Sequence, residues 1–100
     1  MNKIVYNACY GGFGLSEKAS NYLIEKYGID INPKYGYLPD GMSRHDERLI
    51  EVIELMGDDA NGFCAKLKIH ETQSKVYRID EYDGYESVET PDLIDWVVIE

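Results

Sequence analysis

Residues 11–14, Gly-Gly-Phe-Gly, put three glycines into four positions between a run that favours a strand and a run that favours a helix. Ahead of them residues 3–8, KIVYNA, carry the β-formers Ile4, Val5 and Tyr6. Behind them Ser16 is a good N-cap, Glu17 adds a negative charge to the first turn, and Ala19, Tyr22, Leu23 and Tyr27 share one helical face. Gly28 stands where a terminating glycine belongs. The chain therefore opens as a strand, glycine loop and helix. A helix N-terminus leaves amides unpaired, and glycines before it let a phosphate approach the backbone. The same glycines suit a tight turn that needs positive φ, and spacing alone leaves both readings open.

Known phosphate loops fail on their letters. A Walker A loop needs Gly-Lys followed by Ser or Thr, whereas Gly14 is followed by Leu15 and Ser16. A dinucleotide fingerprint needs a glycine where Glu17 stands. Cys9 suggests a nucleophile with its thiol activated by the helix dipole and His45 or His70 as base, but a phosphatase-type loop would need arginine at Leu15. A small buried cysteine at a strand end is the competing account.

The rest of the chain divides by its breakers. Residues 29–42 hold two prolines and two glycines and read as a long loop. A second helix follows, capped by Ser43 or Asp46, with Leu49, Val52, Ile53 and Met56 as its inner stripe and Gly57 as its end. From Phe63 the pattern alternates, with Phe63, Ala65, Leu67 and Ile69 on one side and Cys64, Lys66, Lys68 and His70 on the other, the mark of a half-buried strand. Residues 76–82 and 85–89 are further strands joined by Asp83-Gly84, a hairpin signal. The tail, residues 92–100, fits either a short helix capped at Thr90-Pro91 or a strand over 96–99. The expected fold is α+β: a strand, glycine loop and helix unit, a second helix, then an antiparallel β-meander, all in a single domain of residues 1–100.

Charge limits the partners. The formal net charge is −9 and no run of Lys or Arg occurs, which argues against a long nucleic acid or an anionic membrane surface. A small phosphate-bearing ligand remains compatible, because backbone amides and a few placed cations suffice to bind it. With no basic leader and no apolar run of roughly 18 residues, a cytoplasmic protein is expected. Cys9 and Cys64 are expected as reduced thiols, and no cofactor or metal is implied: His45, Asp46 and Glu47 lack a further ligand at recognisable spacing.

Binding candidates surround the glycines. Arg44 and His45 lie at the start of the second helix, where an arginine can clamp a phosphate, unless Asp46 already caps those amides. Tyr10, Phe13, Tyr35, Tyr37 and Tyr82 fall in loops or at strand ends, where rings can stack on a base or simply edge the core. Lys66 and Lys68 share a strand face that can reach a phosphate or merely face solvent.

The segment NACYGGFGLSEKA, with SRHDERLIEVIELMG, ANGFCAKLKI and EYDGYE, resembles a widespread family of small proteins encoded by tailed phages, over residues 3–88. The family's second helix opens Arg-x-Asp-Pro; here Glu47 takes the proline's place, and residues 96–100 lie outside the pattern. The resemblance implies a phage anti-defence sponge, an oligomer that sequesters the cyclic nucleotide signals of CBASS immunity, such as 3′,3′-cyclic GMP-AMP, without cleaving them. It implies a pocket around the glycine loop and Arg44. Joined to the readings above, the expected ligand-binding set is Tyr10, Gly11, Gly12, Phe13, Gly14, Ser16, Arg44, His45 and Tyr82, with no catalytic residue. So small a protomer has little room to enclose a dinucleotide, so a homo-oligomer, dimer or tetramer, with its pocket at the subunit interface is expected in the host cytoplasm. Two alternatives stand beside it: a small nucleotide phosphatase or hydrolase using Cys9 or His45, and an acidic inhibitor of a basic host protein.

Overall fold

Ser16 is extended (φ −65°, ψ 162°), and its Oγ accepts the Ala19 amide, so that α1 (Glu17–Tyr27) starts where its cap predicts. It stops at Gly28, whose left-handed φ of 65° returns its amide to Ile24 O. The second helix, α2 (Glu47–Met56), is capped by Asp46 rather than Ser43, the carboxylate accepting the Arg48 amide at 2.9 Å. A turn of 3-10 helix, Gly57–Ala60, follows it directly. These elements belong to a computed structural model that describes residues 2–91. The alternatives for the tail concern residues 92–100, which lie outside the described residues.

The α+β class holds, with the strands arranged in two separate pairs. Strands β1 (Asn2–Asn7) and β2 (Leu67–Thr72) run antiparallel, from Asn2 opposite Thr72 to Asn7 opposite Leu67. Strands β3 (Arg78–Tyr82) and β4 (Tyr85–Glu89) form a hairpin closed by Asp83 and Gly84, both at positive φ as a tight primed turn requires. The expected continuous meander is thus divided: β2 pairs with β1, β3 pairs with β4, and among the described residues no ladder joins β2 to β3. Between them Ser74 makes a local turn, its amide donating to Thr72 Oγ1 and its hydroxyl to Val76 O.

Another correction concerns residues 63–66. They are not the start of a strand: Phe63 is 97% exposed, and Cys64 takes a positive φ of 59°. The cause is a turn in which the Ala65 amide donates to Gly62 O at 3.1 Å while Asn61 Oδ1 accepts the Leu67 amide at 2.7 Å. Regular pairing begins only at Leu67.

Ala19 and Leu23 of α1 meet Leu49, Val52 and Ile53 of α2, with Val5, Leu15, Ala60 and Leu67 closing the core. At the rim Glu51 of α2 accepts the hydroxyls of Tyr22 (3.0 Å) and Tyr27 (2.8 Å) and the Lys26 ammonium (3.1 Å), a clasp between the helices. Hydrogen bonds from Tyr27 and Lys26 hold the Glu51 carboxyl below its ordinary value of 4.5, and the Arg48 side chain holds Asp46 below 3.8. Depressed carboxyls contribute stability above their unfolded-state values and lose it as pH falls through the folded ones. The urea midpoint is therefore expected to decline as pH drops below 4.5, and Glu51→Gln should flatten the decline. An unchanged slope in that variant would remove Glu51 from the account.

Candidate functional site

The segment around Gly14 and Leu15 is the middle of a small three-stranded arrangement. On one edge the Leu15 amide donates to Gly36 O at 2.9 Å. On the other the Ser16 amide donates to Ala60 O, and Gly14 O accepts the Gly62 amide, each at 2.8 Å, with Leu15 bridged to Asn61. Backbone groups of an extended chain alternate between its two edges, so residues 32–37 and residues 60–64 flank the glycine segment on opposite sides.

Much of the bare backbone serves this close packing. A Cβ on Gly62 would lie 2.6 Å from Gly14 O, and one on Gly36 would collide with the Leu15 backbone. A Cβ on Gly11 would collide with Cys64. Gly12 differs: nothing lies within 4 Å of where its side chain would begin. The mouth of α1 is also partly spoken for. Ser16 Oγ accepts the Ala19 amide at 3.1 Å and donates to Asp59 O at 2.6 Å. The helix end is therefore not the main attraction for an anion.

Beside the glycine segment lies an open groove of about 1080 Å³. Of the nine residues expected at the site, Gly11, Gly12, Phe13, Gly14 and Ser16 line it. Tyr35 and Tyr37 join them from one edge, 54% and 66% exposed, with parallel rings 5.9 Å apart between centroids. The Lys34 ammonium stands 5.5 Å from the Tyr35 ring centroid. Phe63 comes from the other edge. Lys34 and Phe63 were absent from the expected set, Phe63 because alternation placed it inside a strand; the Asn61-Gly62 turn signal immediately before it was the available warning.

The other four expected residues lie elsewhere. Arg44 forks onto Glu86, Nη1 to Oε1 at 2.6 Å and Nη2 to Oε2 at 2.8 Å, and its Cζ sits 3.9 Å from the Phe13 ring centroid. Its guanidinium is thus engaged by a buried carboxylate, and it reaches the glycine loop by stacking beneath Phe13. Tyr10 packs on Tyr85, centroids 5.1 Å apart, and Tyr82 is exposed at the hairpin end. His45 faces a second groove, of about 1500 Å³, where its Nδ1 is 2.7 Å from Tyr77 Oη. Burial raises the Tyr77 hydroxyl above its ordinary value, so Tyr77 stays protonated beside the imidazole. Cys9 is not among the residues that line these two grooves, whereas His45 lines the second.

Among the described residues no group of three His, Cys, Asp or Glu side chains is placed to hold a metal ion, and no helix is long and apolar enough to cross a membrane. No family model, curated protein or solved structure matches the chain.

Proposed function

We propose that the protein is a nucleotide-binding sponge that sequesters a cyclic dinucleotide signal, such as 3′,3′-cyclic GMP-AMP, without cleaving it, as in the phage anti-defence family that its CYGGFGLS segment resembles. The observation that carries this reading is the groove itself, which joins the glycine backbone to exposed aromatic rings and a lysine. Ring faces suit bases, and a floor without side chains suits a sugar-phosphate that must come close. Sequestration asks for tight ground-state binding and nothing more, whereas catalysis asks for groups that act only in the transition state. The open groove gains walls if a second subunit covers it, so the sponge is a homo-oligomer acting in the host cytoplasm.

The test is a native gel with labelled cyclic di- and trinucleotides, followed by heating the complex and identifying what is released. A shift with intact ligand recovered is the expected result. Release of a cleaved product would replace the sponge by a hydrolase. No shift with any nucleotide would remove the reading and favour capture of a host protein by the acidic surface.

A further inference from the structure

The groove has two aromatic walls, and they are fixed on opposite edges of one extended segment. Tyr35 and Tyr37 belong to the chain paired through Gly36 O, and Phe63 follows Gly62, which is paired through Gly14 O. Neighbouring chains in such an arrangement lie about 4.8 Å apart, so the two walls stand roughly 10 Å apart across the glycine floor. Along that floor Gly12 has nothing within 4 Å of where a side chain would begin, while Cys64 takes that space at Gly11 and Tyr35 O lies 3.3 Å from it at Gly14. Three large rings left in water around one groove amount to an apolar patch on an acidic protein, the kind of surface a ligand covers.

Resting on the nucleotide-binding reading, we infer that each wall holds one base: one stacks on the Tyr35 and Tyr37 pair, the other on Phe63. The phosphates linking the bases then cross the glycine floor. Charge narrows the class further. Lys34 is the cation lining the groove among the described residues, and Glu17 opposes it on a chain of net charge −9. Phosphodiesters, with a single negative charge each, suit such a surface; the clustered charges of a triphosphate do not. The ligand class is therefore a dinucleotide joined by diesters, with no terminal phosphate.

Tyr37→Ala and Phe63→Ala test the assignment on the full chain, by titration calorimetry with 3′,3′-cyclic GMP-AMP, cyclic AMP and ATP. Both side chains are exposed, so the variants should melt as the wild type does. Each is expected to weaken the dinucleotide by roughly 5- to 150-fold, the worth of one stacked base. Cyclic AMP, with one base, should bind more weakly and respond to only one of the two variants, and ATP should bind more weakly than the dinucleotide. If both variants bind 3′,3′-cyclic GMP-AMP within about twofold of wild type, the walls are not base platforms although the protein still binds nucleotides. Tighter binding of ATP would overturn the diester assignment in the same way. Failure of the wild type to bind any of the three would defeat the nucleotide reading and this inference together.

Discussion

Replacing Glu86 with alanine should destabilise the fold by about 3–5 kcal/mol, the usual cost of removing one partner from a buried ion pair. The side chain of Glu86 is 7% exposed and that of Arg44 23%, so water cannot replace what the carboxylate supplies. Two guanidinium hydrogen bonds would be lost, and with them the acceptor of the buried Asn7 amide at 2.9 Å. Asn7 itself ties three segments, its side chain donating to Cys9 O and Gly84 O and accepting the Lys66 amide. Damage at Glu86 therefore reaches β1, the hairpin and the chain before the glycine loop. A domain's whole stability is about 5–15 kcal/mol, so the variant should unfold at far lower urea. The paired change Arg44→Met with Glu86→Gln leaves no unpaired charge and should recover part of the loss. A single-variant cost under about 1 kcal/mol, the range of exposed pairs, would show that the fork does not act as a buried one.

The sequence disclosed features that are decided by neighbours along the chain. Ser16, Gly28, Asp46 and Gly57 bound their helices because capping depends on a residue and the amides or carbonyls within one turn of it. Asp83-Gly84 closed its hairpin for the same reason. Pairing of β1 with β2 was not legible, since it joins residues 60 to 70 positions apart and alternation cannot name a partner. Arg44 was a phosphate-clamp candidate in a segment equally suited to capping, and its pairing with Glu86, 42 positions away, appears only in the fold. The site was legible by halves. Glycines announce themselves locally, but Lys34, Tyr37 and Phe63 enter the groove only because Gly36 and Gly62 seat their loops against Leu15 and Gly14.

Gly36→Ala should be the most damaging of the glycine substitutions at the groove, and comparison with Gly28→Ala shows why. Both glycines have nearly the same left-handed φ, 67° and 65°. Alanine there costs about 1–2 kcal/mol in either place from backbone sterics. At Gly28 nothing lies within 4 Å of the new methyl, so the cost ends there. At Gly36 the methyl would overlap the carbonyl and amide of Leu15, backbone that cannot rotate away. Overpacking of this kind adds about 1–3 kcal/mol, for a total of about 2–5 kcal/mol. Relief requires residues 32–37 to draw back, which breaks the 2.9 Å bond from the Leu15 amide to Gly36 O and carries Tyr35 and Tyr37 away from the glycine floor. Gly36→Ala should therefore lower the urea midpoint and, under the proposed function, nucleotide affinity as well, whereas Gly28→Ala lowers only the midpoint. Equal midpoints for the two variants would mean that the chains do not need their close approach. Preserved affinity in a destabilised Gly36→Ala would separate that approach from the binding wall, leaving the glycine to serve the fold alone.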